Sequence, residues 1–318
     1  MVGRWGVSAV ALAAAFIAAA PGDAQTRMFY SQAGPVYELY SLNRDATDKQ
    51  PVLVYPDVAY NGYIPWMQYL KVDSAAGKLY YTAMYTYGLS RIERINLDGF
   101  DREVLVPWST FTPGGIVIDP DNEHLYWISQ EYGLRRQNFD GTNPVTLVGP
   151  ALGWWEGLAA DLRAEYIFWI HDDRVMRANL DGSGVREIIP SSALAEGDLE
   201  VDPVAQRIYW MGVGGIHSAK YNGSDVQYVV ASGEYANDFE IDLTGRRIYW
   251  HTPLDGVVKN ANLDGSDIQS ELFWSFVSFA LDNGLVIPPL PGSSSMSLLV
   301  TALLLGAIGA LRGRRRQG

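Results

Sequence analysis

Cysteine is absent from all 318 residues. Its absence removes disulfides, cysteine-based zinc sites and a lipid-modified N-terminal cysteine, so the fold must hold by packing and hydrogen bonding. Positive charge is scarce as well: 24 Lys and Arg against 36 Asp and Glu leave a formal net charge of −12. Such a surface repels phosphate backbones, which argues against nucleic acid as a partner. The four histidines share no spacing motif. His171, His217 and His251 follow three successive aromatic stretches at different offsets, and His124 falls in a turn. There is no Ser-His-Asp order, no phosphate-binding glycine loop and no HExxH run. Long amphipathic helical patterns are also missing; 12% aromatic residues and 32 glycines suit short strands joined by tight turns instead, which makes the domain all-β.

What the chain has in abundance is a repeat. An aspartate is followed seven residues later by Tyr or Phe and then by another aromatic: Asp73 with Tyr80-Tyr81, Asp119 with Tyr126-Trp127, Asp161 with Phe168-Trp169, Asp202 with Tyr209-Trp210 and Asp242 with Tyr249-Trp250. Asp282 stands where a sixth is due, and the steps between aspartates are 46, 42, 41, 40 and 40 residues. That period is the size of a propeller blade. Each unit reads as an apolar leading strand, a turn holding the aspartate, an aromatic strand, a third strand, an Asp-Gly or Asn-Gly turn such as Asp181-Gly182 or Asn222-Gly223, and a last strand. The first unit, from residue 27, lacks a leading strand, while residues 277–282 (VSFALD) match the leading strands of other units. The expected fold is therefore a six-bladed β-propeller of four-stranded antiparallel blades, closed when the C-terminal strand completes blade 1.

The spacing of Asp, then Tyr-Trp, then Asn-Leu-Asp-Gly resembles the YWTD (class B) repeats of the low-density lipoprotein receptor family, over residues 27 to about 284. The fourth motif letter departs from it in every copy, which read YYTA, YWIS, FWIH, YWMG and YWHT. The blade-to-blade network that the resemblance implies for the motif aspartate thus has no residue here to carry it.

The ends of the chain read differently. Residues 1–24 carry Arg4, an apolar run over 7–20 and small residues, as a secretory signal peptide does. The propeller occupies 25–285. Residues 286–295 form a Pro- and Ser-rich linker, and 296–318 combine an apolar run with Arg312, Arg314, Arg315 and Arg316. By the positive-inside rule this tail is a membrane helix that leaves the propeller outside the cytoplasm. Linker, helix and arginines together resemble PEP-CTERM sorting signals of Gram-negative bacteria, with Pro289-Leu290-Pro291 in place of Pro-Glu-Pro. The resemblance implies an exosortase-type sorting enzyme as a partner, and either anchoring in the membrane or release to the cell surface or extracellular matrix.

Residues that recur in every blade are explained by what every blade needs. The aspartates close turns, and the aromatics fill the space between blades. Function is therefore sought in what is not repeated, namely the inter-blade connections, which share one face with the turn between the second and third strands. Five tryptophans fall in or beside them: Trp66, Trp108, Trp154, Trp155 and Trp274. Gln68, Glu156, Glu196, Asp198, Asn237 and Asp238 lie just ahead of the leading strands. These residues predict an acidic, aromatic rim at the channel mouth that grips a protein or polysaccharide, with Trp154-Trp155-Glu156 at its centre. The alternative use of the same tryptophans is to plug the channel or cover blade edges. A second functional class is a calcium-dependent, lactonase-like hydrolase in which Glu156, Asp198, Asn237 and Asp238 supply hard oxygen ligands. Gly114, Gly115 and Val277 leave that ligand shell incomplete.

Overall fold

The computed structural model describes residues 27–32, 38–43, 49–54, 66–84, 89–193, 195–231, 238–252, 257–273 and 278–281. Residues 1–24, Asn237, Trp274, Asp282, the linker 286–295 and the segment 296–318 lie outside them.

Among the described residues the strands assemble into six sheets of four, each antiparallel throughout. Blade 4 shows the plan: Trp155–Asp161 pairs with Tyr166–His171, that with Arg174–Asn179, and that with Arg186–Ile189. The innermost strands of the other blades are Trp66–Asp73 (blade 2), Pro113–Asp119 (blade 3), Ala195–Asp202 (blade 5) and Asp238–Asp242 (blade 6). Blade 1 draws on both ends of the chain. Ser278–Leu281 pairs with Arg27–Gln32, placing Met28 opposite Leu281 and Ser31 opposite Ser278. The six innermost strands contact one another in a closed circle, so the expected six-bladed propeller and its closure are both present.

The motif aromatics fill the wedges between blades. Phe168 of blade 4 and Trp210 of blade 5 share one buried cluster, and Tyr209 of blade 5 shares the next with Phe239 and Trp250 of blade 6. Trp169, Trp210 and Trp250 are completely buried, and each removes a large apolar surface from water.

The turn aspartates do more than close turns. All five described ones are buried, and each accepts the backbone N–H three residues on, as in Asp161 to Ala164 at 3.0 Å, Asp202 to Ala205 at 3.1 Å and Asp242 to Gly245 at 2.8 Å. Two of them also reach the next blade with the second oxygen. Asp161 Oδ2 accepts the Tyr221 hydroxyl at 3.0 Å, and Asp202 Oδ2 pairs with Arg246 at 2.6 Å. Blade-to-blade ties thus exist without the missing motif aspartate, and they start from the turn instead.

Asp202 tests this double role. Asp202→Ala loses the turn acceptor and the Arg246 pair together and is expected to cost about 3 kcal/mol, whereas Asp202→Asn keeps a turn acceptor and is expected to cost about half of that. Chemical denaturation of the two variants checks the ordering; equal losses would confine Asp202 to a single function.

Candidate ligand site at the channel mouth

Aligning the innermost strands on their turn aspartates resolves the channel into layers. Two residues before the aspartate stand Lys71, Val117, Ala159, Glu200, Glu240 and Ala280. Three of these six are charged, and they meet. Lys71 of blade 2 forms ion pairs with Glu200 of blade 5, opposite it in the ring, and with Glu240 of blade 6, the latter at 3.0 Å. One cation thus faces two carboxylates, with Asp198 acting on all three. Burial, aided by Glu200 and Asp198, holds Glu240 well above the usual carboxylate range against the pull of Lys71; burial and Asp198 also hold Glu200 above it. Burial alone would lower Lys71, but Glu200, Glu240 and Asp198 outweigh it and hold the ammonium well above its ordinary value.

Four residues before the aspartate lie Tyr69, Gly115, Gly157, Asp198, Asp238 and Ser278. Tyr69 has φ 51°, almost the same as its blade 4 counterpart Gly157 at φ 50°, and it sits where the pairing register of its strand shifts. A left-handed backbone is ordinary for glycine and strained for tyrosine. The Tyr69 phenol is held above its ordinary pKa by burial and by the Glu156, Asp198 and Asp238 carboxylates. A small cavity of about 20 Å³, lined by Tyr69, Lys71, Asp198, Asp238 and Glu240 among others, has room for about one water-sized group.

Above this layer opens a cavity of about 450 Å³ between blades 4 and 5, lined by Tyr69, Trp154, Glu156, Ile170, Asp172, Asp173, Ala195, Glu196, Gly197 and Met211. Its rim is rigidly built. Asp172 and Asp173, at φ 50° and 62°, form the two-residue hairpin between the second and third strands of blade 4. Asp172 grips the inter-blade loop from both sides: its carboxylate accepts the Trp154 N–H at 3.0 Å, and its own N–H donates to the Trp154 carbonyl at 3.2 Å. The same loop receives the His171 Nε2 donor on the Leu152 carbonyl at 3.2 Å and Trp155 Nε1 on the Ala151 carbonyl at 3.3 Å. Gly153 between them has φ 128°, and any Cβ there would strike the Asp172 carboxylate. Thus fastened, the loop presents Leu152, 98% exposed, and Trp154, 64% exposed.

The residues singled out from sequence separate accordingly. Trp154, Glu156 and Glu196 line the outer cavity, while Asp198 and Asp238 line the inner one. Gln68 lies on the innermost strand of blade 2, its carbonyl accepting the Thr82 hydroxyl at 3.0 Å. Trp66 opens that strand. Trp155 offers no face to a ligand: it opens the innermost strand of blade 4, is buried in the core shared with blade 3 and stacks on Trp169 with ring centroids 6.0 Å apart. Trp108 lies on the outer strand of blade 2, packs on the core shared by blades 1 and 2 and is covered by Arg91, so it is removed from the channel. Asn237 and Trp274 fall outside the described residues. Of the four residues of the calcium reading, Glu156 lines the outer cavity, Asp198 and Asp238 line the inner one, and Asn237 is not described; among the described residues no group of three or more His, Cys, Asp or Glu side chains is placed to hold a metal ion. Tyr69, Lys71, Asp172, Asp173, Glu200 and Glu240 also belong to the site, beyond the residues that the sequence pattern singles out. For Lys71, Glu200 and Glu240 the signal was readable, as charges at an aligned strand position where the other blades carry Val or Ala.

No protein-family model matches the chain. Over 163 residues, 45% of the chain, it is 28% identical to Protein cueball of Drosophila grimshawi, of which the match covers 26%. The chain therefore spans about a quarter of the length of the curated relatives it matches. Among solved structures, 81% of the chain superposes on 98% of a chain from a nidogen–laminin complex with TM-score 0.66 and 16% identity. It likewise matches TolB of Acinetobacter baumannii over 82% of this chain and 68% of that one, with TM-score 0.63 and 13% identity. At these identities the likeness establishes the β-propeller fold.

The channel network sets a pH dependence. An acid whose folded pKa is raised contributes stability that is complete below its unfolded pKa and lost as pH rises through the folded one. Lys71, also raised, acts in the same sense but only above its unfolded value of about 10.4. Glu240→Gln removes the surplus carboxylate, so its melting temperature is expected to gain on that of the natural protein as pH rises from about 5 to about 8. Calorimetry across that range measures it, and a constant difference would sink the assignment. Lys71→Met leaves Glu200 and Glu240 uncompensated and is expected to cost about 3–5 kcal/mol at neutral pH.

Proposed function

We propose that the chain is an exported β-propeller that binds a protein or polysaccharide outside the cytoplasm through the channel-mouth cavity between blades 4 and 5. The observation that carries this reading is the fastened loop over that cavity, which holds two apolar side chains in water at no gain to the core. An exposed aromatic on a rigid loop above a cavity has the anatomy of an interface anchor, since little conformational freedom remains to be lost on binding. Residues 1–24 would direct export, and the tail 286–318 would engage the membrane and an exosortase-type enzyme, leaving the propeller anchored at, or released from, the cell surface. The nidogen–laminin complex supports a protein ligand by analogy, because that propeller was solved with a protein partner.

Trp154→Ala in the full chain is expected to reduce capture from an envelope extract by about tenfold or more while leaving the melting temperature unchanged, since the ring is 64% exposed. Immunoblotted capture and calorimetry measure the two quantities. Undiminished capture would move the site elsewhere on the propeller.

A further inference from the structure

The cavity at the channel mouth has two kinds of wall. Tyr69, Trp154, Ile170 and Met211 supply apolar and aromatic surface, and Glu156, Asp172, Asp173 and Glu196 supply carboxylates. Two of those carboxylates are already used within the fold. Glu156 Oε2 accepts the Gly197 N–H at 2.7 Å, and Asp172 accepts the Trp154 N–H. The side chains of Asp173 and Glu196 have no hydrogen-bond partner among the described residues. No described lysine or arginine pairs with any of the four: the neighbouring Arg174 is engaged by Glu187 at 3.4 Å, and Lys71 is engaged deeper in the channel by Glu200 and Glu240. The cavity therefore carries uncompensated negative charge beside apolar walls.

We infer that this cavity receives a basic side chain, arginine or lysine, presented by an extracytoplasmic polypeptide. The inference rests on the binding role proposed above and names its ligand class. A basic side chain has both of the surfaces that the cavity matches: an aliphatic stem for Trp154, Ile170 and Met211, and a cationic head for Glu196 and Asp173. Its charge can also lie over the Tyr69 or Trp154 ring. A small metal ion would need several oxygens converging at one point, whereas these walls are spread around about 450 Å³ and include apolar surface throughout. A neutral sugar would leave the charge unbalanced. Leu152, on the same fastened loop, then meets the apolar flank of the polypeptide.

The test uses the full chain and an immobilised library of capped pentapeptides, in pools whose central residue is fixed as Arg, Lys, Leu or Glu. The Arg and Lys pools are expected to retain the protein at low salt and release it as salt rises. Glu196→Gln with Asp173→Asn is expected to weaken that retention by about tenfold. Asn suits the left-handed position of Asp173, so the double variant should fold, and an unchanged melting temperature confirms it. Asp121→Asn, which removes an exposed carboxylate from a turn of blade 3, should leave retention unaltered and controls for net charge. Equal retention by the Leu or Glu pools, or Arg retention indifferent to the double variant, overturns the inference. Binding of an envelope polysaccharide with no basic pool retained overturns the basic ligand while keeping the binding role. Capture of neither peptide, polysaccharide nor envelope protein overturns both.

Discussion

A sheet of four strands has two edges with unpaired backbone groups, and a row of such sheets has two end faces with exposed apolar side chains. Arranging the sheets radially solves the second problem only if the row meets itself. Here the meeting depends on four residues, Ser278–Leu281, pairing with Arg27–Gln32. Everything else follows from that closure. The wedge-filling aromatics need a blade on both sides, the turn aspartates need a next blade to reach, and the innermost strands enclose a channel only when all six are in place. A cysteine-free chain has no covalent means of holding its ends together, so this short ladder and the packing around it carry the load.

Closure also brings residues distant in sequence to one axis. Lys71 and Glu240 are 169 residues apart yet meet in the channel. Desolvating an ammonium and two carboxylates is costly, and their mutual attraction offsets the cost only with good geometry. An apolar layer, as Val117, Ala159 and Ala280 provide on the other three blades, would close the channel at lower expense. The charged layer sets blades 2, 5 and 6 apart from their neighbours at this level of the channel, at a desolvation cost that only the Lys71 pairs offset.

The fold was legible because a propeller writes its period into the sequence six times, and each copy corrects errors in reading the others. The site was legible only in part. Trp154, Glu156 and Glu196 stand out in the sequence as unrepeated residues near the inter-blade connections, and they do share a cavity, although Glu156 and Glu196 lie on the innermost strands themselves and not ahead of them. Trp155 and Trp108 stood out for the same reason and turned inward or outward, because proximity to a loop does not say which face of a strand a side chain takes. Asp172 and Asp173 carry no sequence signal because a hairpin of two aspartates looks like any polar turn; only the folded chain shows Asp172 gripping the loop of the preceding inter-blade connection. The turn aspartates Asp161 and Asp202 were read correctly as local acceptors, but their second oxygens answer to Tyr221 and Arg246, whose approach depends on blade-to-blade spacing that no single repeat contains.

Tyr69 is the sharpest case of a residue whose meaning comes from comparison among blades. At its position blade 4 has glycine in the same left-handed conformation, which glycine adopts at little cost and tyrosine only against strain of about 1 kcal/mol or more. Its side chain separates the Lys71 layer from the outer cavity and lines both. A glycine there would relieve the backbone but merge the two spaces, exposing the Lys71 ammonium to whatever enters from the mouth and cancelling part of the negative charge above it. The aromatic ring keeps the Lys71 ion pairs below apart from the rim carboxylates, which meet no cation among the described residues. The backbone strain at Tyr69 is thus the local cost of keeping the paired charges at the channel's centre apart from the acidic opening.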